Sequence, residues 1–256
     1  MNVRICRFCW LGRVDYGSAW RLQKILAENR AAERIEDTLL MLEHPPTYTL
    51  GRRGSEAHLL VDGEVLARQG VEVHRVDRGG DITFHGPGQL VGYPVVSLEG
   101  RQGGASRYLR DLEEVLILGL GSLGISAGRE QGLTGVWVNG EKIAAIGVKI
   151  NARRVTGHGF ALNVTTDLGF FRQIVPCGIR GKVVTSLASV LGSPPDMARV
   201  QRAVADAFGQ VFGMEMAPVS PESMARLMEE CHGQGSSGEE RGFRRCGGTE
   251  AAGQAS

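Results

Sequence analysis

Apolar and polar positions alternate along this chain in two different periods, and the switches between them mark out its elements. Residues 3–11 read as a strand. Asp15 and Ser18 are N-cap candidates for a helix whose apolar positions Ala19, Leu22, Ile25 and Leu26 share one face. Thr38–Leu42 reads as a buried strand, stopped by His44-Pro45-Pro46, and Val71–Val76 alternates as a further strand. A glycine-rich stretch, Arg78–Gly92, leads into Tyr93-Pro94-Val95-Val96. Residues 105–120 have helical periodicity through Leu109, Leu112, Val115 and Leu116. Val136–Ala144 has the form of a hairpin with Asn139-Gly140 as a type I′ turn. Ala161–Val164 is a short strand. A last helix carries Met197, Val200, Val204, Phe208 and Val211 on one face, with Ser193 as its N-cap and proline following.

The strands are not separated by regular helical crossovers, which predicts an α+β fold: a mixed β-sheet with flanking helices, not a doubly wound sheet. From about Pro218 the composition shifts. A short helix fits Pro221–Glu230, and Gly/Ser/Ala-rich sequence follows. The expected organisation is one folded domain, residues 1–217, and a tail, 218–256, too poor in apolar residues to fold alone and expected to be disordered.

Composition narrows the class. With 256 residues, 42% of them hydrophobic, the chain can bury one sizeable core. A net charge of +1 gives no whole-molecule field for nucleic acid or an anionic membrane, so a charged partner would meet a local patch. No apolar run approaches the roughly 20 residues of a membrane span, and charges interrupt the apolar N-terminus where a secretory signal would lie. Five scattered cysteines do not form a disulfide framework, and the expectation is a reduced, cytoplasmic protein. The Cys6/Cys9 pair has C-x-x-C spacing, but on a strand residues three apart point to opposite faces, so no metal is expected there.

Three stretches carry chemistry. Cys177 lies between Pro176 and Gly178, an arrangement in which a thiol can be both exposed and held still. Only a few per cent of a free cysteine is thiolate near neutrality, so a neighbouring cation is needed. Lys142 follows the Asn139-Gly140 turn and enters the apolar run Ile143–Val148, opposite in facing to Ile143. Read locally, two alternatives stand for each: a small buried hydrophobe or a nucleophile at 177, a solvated hairpin lysine or a functional cation at 142. Arg78–Gln89 places Thr83, His85 and Gln89 among glycines, which lets backbone approach a ligand closely. It is no Walker loop, since no Gly-Lys-Ser/Thr follows. His158, bracketed by Gly157 and Gly159, is a weaker candidate.

Taken together, Glu43–Gly51, Arg78–Gln89, Lys142–Gly147 and Pro176-Cys177-Gly178 resemble the lipoyl(octanoyl) transferases, over about Val14 to Leu191. The resemblance implies the fold of biotin and lipoate protein ligase catalytic domains and an acyltransferase with no cofactor and no metal. It implies an octanoyl group taken from octanoyl-acyl carrier protein and passed to the target lysine of lipoyl domains, in 2-oxoacid dehydrogenase E2 subunits and glycine cleavage H protein, as the first step of lipoate biosynthesis on the protein. It assigns Cys177 the acyl-accepting nucleophile, forming a thioester, and Lys142 the amine that lowers its pKa. It assigns substrate binding to Arg78, Gly79, Gly80, Asp81, Ile82, Thr83, Phe84 and His85, to Ala145, Ile146 and Gly147, and to Gly159, Phe160 and Ala161. A local basic surface of Arg52, Arg53, Arg78, Lys149, Arg153 and Arg154 is expected to meet the acidic partner domains; a monomer is expected. Two rivals are an ATP-dependent lipoate ligase of the same fold, which needs no thiol nucleophile, and a non-catalytic module that grips the acylated carrier.

Overall fold

The computed structural model describes residues 3–175 and 183–233. Its first strand, β1 (Arg4–Arg13), runs into α1 (Tyr16–Ala31), where the Asp15 carboxylate caps the helix by accepting the Ser18 N–H at 2.8 Å. The helix buries Ala19 and Leu26 and returns the chain to β2 (Asp37–Glu43), parallel to β1. That crossover is the only practical way to bring consecutive strands parallel. The prolines at 45 and 46 then break the path. Beyond them β3 (Thr47–Leu50) starts a separate small sheet with β4 (Glu72–Arg75) and β5 (Ile82–His85), joined through α2 (Gly63–Arg68).

Strand β6 (Gln89–Val95) returns to the main sheet, antiparallel to β2. After α3 (Gly104–Ser122), the hairpin of β7 (Val136–Val138) and β8 (Glu141–Ile150) turns through Asn139 at φ 51° and Gly140 at φ 79°, the left-handed pair a type I′ turn requires. Then follow β9 (Thr156–Asn163), α4 (Leu187–Leu191), α5 (Met197–Phe212), β10 (Met214–Pro218) and α6 (Pro221–Gly233). The seven-stranded sheet has the order β10-β1-β2-β6-β9-β8-β7, mixed in sense as an α+β fold predicts.

Helices cover both faces. One core joins α3 and α5 to the sheet through Leu112, Leu116, Val204 and Phe208; the other joins α1 and α6 through Leu26 and Met224. Cys6 falls in the first core and Cys9 in the second, on opposite faces of β1, and neither is exposed. Burial from both sides explains the apolar run Leu39–Leu42 in β2.

Several expectations need correcting. The glycine-rich stretch hides β5, and β9 begins five residues before Ala161. Helix α5 is capped by Asp196, which accepts the Ala198 N–H at 3.0 Å, and not by Ser193: prolines at 194 and 195 have no N–H to give a cap. Order does not end at Pro218 either, since α6 buries Met224 and packs Leu227 against the second core. Residues 234–256 lie outside the described residues. Phe208 is fully buried and stacks on Phe212 at 4.3 Å; Phe208→Ala is expected to cost about 3–5 kcal/mol, read as a lower urea midpoint at unchanged slope.

Candidate active site

A cavity of about 680 Å³ opens between the small sheet and strands β8 and β9, within the ~300–1,000 Å³ usual for small-ligand sites. The Arg78–Gly80 turn forms one wall. It is pinned from both sides: Gly79 N–H donates to the Val148 carbonyl of β8 at 2.9 Å, while Arg52 and Arg53 N–H donate to the Arg78 and Gly80 carbonyls. At Gly147 this leaves no room for a side chain, because a Cβ would stand 2.9 Å from the Gly79 oxygen and 3.1 Å from Arg78 Cδ. The Arg78 guanidinium is buried and donates to the Thr49 carbonyl at 2.6 Å and the Thr49 hydroxyl at 2.8 Å.

From that hydroxyl a chain of buried hydrogen bonds crosses beneath the cavity. Thr49 Oγ1 lies 3.3 Å from His85 Nε2, and His85 Nδ1 lies 2.9 Å from Gln89 Oε1. The Gln89 oxygen can only accept, so His85 carries its proton on Nδ1 and takes the Thr49 proton on Nε2. Gln89 Nε2 donates to Asn163 Oδ1 at 3.0 Å, and Asn163 Nδ2 donates to the Thr185 carbonyl at 3.0 Å. Thr185 N–H in turn donates to the Lys142 carbonyl, and Lys142 N–H to the Val183 carbonyl, each at 3.0 Å. Lys142 is thereby zipped, parallel, to residues 183–185. On the other flank, Val175 N–H donates to the His58 carbonyl at 2.8 Å, and the His58 ring holds the Asp81 carboxylate at 2.7 Å.

Burial favours the neutral form of His44, His85 and His158. Desolvation pushes His44 down to about 4; its Nδ1–H donates to the Val14 carbonyl at 2.7 Å and its Nε2 accepts from the Tyr93 hydroxyl at 2.7 Å. His85 is driven well below its ordinary value by burial, with further depression from the neighbouring His44 ring and the Arg78 charge. His158 is lowered by burial, against the opposing pull of Asp77, whose carboxylate accepts from Nε2 at 2.7 Å. Burial would raise Asp77, but hydrogen bonds from His158 and Lys149 outweigh it and hold the acid at about 2.

Lys142, Arg78–Thr83, His85, Ala145–Gly147 and Gly159–Ala161 all line this one cavity. Phe84 does not: it is buried in the core of the small sheet, where it stacks on Phe170 at 4.4 Å. Cys177 lies outside the described residues. Of the expected basic surface, Arg52 and Arg53 reach the cavity, whereas Lys149 pairs with Asp77 and Arg154 donates to the Leu98 and Arg101 carbonyls. Tyr16, Tyr93, Trp137 and Phe171 line the cavity without any local motif to announce them, coming from four separate elements. Among the described residues, no group of three or more His, Cys, Asp or Glu could hold a metal ion, and no helix is long and apolar enough to cross a membrane.

Comparison with known proteins adds to this geometry. The profile of the family described as "Lipoyl protein ligase A/B catalytic domain" matches residues 15–209. An octanoyltransferase of Rubrobacter xylanophilus is 52% identical over 203 residues, 79% of this chain and 91% of the relative. One of Koribacter versatilis is 51% identical over 207 residues, 79% and 82% of the two chains. Among solved structures, lipoate-protein ligase A bound with ATP superposes with a TM-score of 0.67 at 18% identity, covering 88% of this chain and 93% of that one. A structure described as that of a bi-partite lipoate protein ligase and its E2 lipoyl domain from Thermoplasma acidophilum gives 0.67 at 18% identity, covering 89% and 91%. At such identities the structures speak for the fold alone.

The depressed His44 sets a pH dependence. Its unfolded form takes up a proton below about pH 6.5 while the folded form resists until about pH 4. Stability is therefore expected to fall as pH drops through that window, by on the order of 3 kcal/mol from this group. His44→Gln, which keeps one donor and one acceptor, should flatten the slope in urea titrations between pH 7 and 4.

Proposed function

Because the chain belongs to the lipoyl protein ligase A/B catalytic domain family, we propose that it is an octanoyltransferase, moving an octanoyl group from acyl carrier protein to the lysine of a lipoyl domain. The octanoyltransferase names of relatives near 50% identity favour transfer over ATP-dependent ligation within this family. The observation that carries the reading is the pairing of Lys142 with residues 183–185 at the wall of the cavity. That pairing ties the amine-bearing strand to the chain segment that holds Cys177, six residues before Val183 and two after Val175.

In the proposed reaction the Lys142 ammonium favours the Cys177 thiolate by opposite charge. The thiolate attacks the octanoyl thioester, the carbon–sulfur bond to the carrier's arm breaks, and the departing thiolate takes its proton from Lys142. One thioester replaces another, so little free energy is lost. With the anion consumed, Lys142 is neutral and ready as a base. The lipoyl-domain lysine arrives protonated, with an ordinary pKa near ~10.4. It loses one proton to solvent and one to Lys142 as its nitrogen attacks, and the amide leaves Cys177 as thiolate again. The apolar wall of Leu109, Leu133, Ile146 and Phe160 suits a hydrocarbon chain and keeps water from the thioester. Arg52 and Arg53, at the same cavity, offer positive charge to acidic partner domains.

Intact-mass measurement tests this directly. Mixed with octanoyl carrier protein and no ATP, the wild-type chain should gain one octanoyl mass on Cys177, and Cys177→Ser should gain none as a thioester. Lys142→Met should lose about 10³-fold or more in transfer rate, the scale seen when one member of a catalytic unit is removed. Acylation that requires ATP would return the ligase reading; full transfer by Cys177→Ser would refute the nucleophile.

A further inference from the structure

Behind the cavity wall, helix α3 carries a carboxylate with no part in the reaction above. Glu113 is completely buried, an unusual place for an acid, and two arginines hold it there: Arg110 Nη1 donates to its Oε2 at 2.6 Å and Arg129 Nε to the same atom at 3.0 Å. The other oxygen, Oε1, accepts the backbone N–H of Gly135 at 3.1 Å. Gly135 has φ +134°, a conformation L side chains rarely adopt, and it directly precedes β7. A methyl group there would stand 2.6 Å from Lys142 Cε, 3.2 Å from Lys142 Nζ and 2.6 Å from the Ala144 carbonyl oxygen. The lysine side chain therefore lies across the bare face of Gly135, and its Nζ is 5.5 Å from the centre of the Trp137 ring. The neighbouring residues Gly132, Leu133 and Thr134 line the same cavity as Lys142.

We infer that Glu113 and Gly135 are positioning residues for the Lys142 amine: the buried carboxylate anchors the Gly135 backbone, and the missing side chain at 135 is the groove in which the lysine lies. The consequence for rate rests on the function proposed above for Lys142, whereas the consequence for the position of the amine does not. An ordinary buried ion pair would explain Glu113 and its arginines, but not why its other oxygen accepts the backbone N–H of Gly135, the residue the lysine lies against.

Two readouts on the full chain separate these parts. The first is labelling of amines by acetic anhydride, followed by peptide mass. In Gly135→Ala and Glu113→Ala the labelling rate of Lys142 should change threefold or more, while Lys24 and Lys149 label as before; Glu113→Gln, which keeps an acceptor for the Gly135 N–H, should restore the wild-type rate. The second is steady-state octanoyl transfer. Gly135→Ala should lower kcat at least tenfold with KM for the octanoyl carrier within twofold, and should cost nothing further on a Lys142→Arg background. Unchanged Lys142 labelling in every variant, or the same fold-loss from Gly135→Ala in both backgrounds, overturns the inference. Altered labelling with undiminished transfer by Lys142→Met would leave the positioning intact and refute the role of Lys142 in the reaction. Should Gly135→Ala fail to fold, the Glu113→Ala and Glu113→Gln pair still decides.

Discussion

Two backbone hydrogen bonds at Lys142 are the constraint on which the site depends. Each is worth only about 1 kcal/mol net, yet together they bring to one place two parts of the chain separated by forty residues: the β8 strand, which begins just after the Asn139-Gly140 turn, and the segment that emerges at Val183. Strand pairing fixes position to a fraction of a residue, because slipping by one would turn every side chain to the other face. A lysine and a loop joined in this way cannot drift apart without breaking the edge of the sheet.

The small sheet answers the same need from the other side. Its turn, Arg78–Gly80, is pressed onto β8, and its core residues Tyr48 and Phe84 pack against the 168–174 segment: Tyr48 donates its hydroxyl proton to the Phe170 carbonyl at 2.7 Å. The chain as far as Val175 is thus held by the small sheet, and the chain from Val183 onward by the large one. The polar chain from Arg78 through Thr49, His85, Gln89 and Asn163 to Thr185 runs between the two. Such a network contributes little net stability, but a break leaves a buried donor or acceptor unpaired, at about 1–3 kcal/mol each. Its value lies in allowing a single arrangement of the cavity floor.

Much of this was legible in the sequence. Helix α1 could be read from Asp15 and its apolar spacing, and the β7–β8 hairpin from Asn139-Gly140, because these depend on interactions within a few residues. The opposite facing of Cys6 and Cys9 followed from the period of a strand alone. The glycine-rich stretch and the Lys142 segment were visible as anomalies, since closely approaching backbone leaves glycine as its trace. One miss was local in cause and one was not. Ser193 looked like a helix cap until two prolines moved the start to Asp196, and Met224 in α6 found a partner surface that its own sparse neighbourhood did not predict.

The chain by itself determined which residue types could do chemistry, where backbone must pass close to something, and that an α+β sheet would carry them. Only the tertiary structure decided that Phe84 turns away while its neighbours face the cavity, that Tyr16, Tyr93 and Trp137 complete its wall, and that a carboxylate on α3 reaches the glycine beside Lys142. Those facts depend on contacts between residues far apart in sequence, where no periodicity or motif records the partner. Short-range geometry is written in spacing; long-range contact comes from the packing of whole faces, and becomes definite only when the sheet has closed.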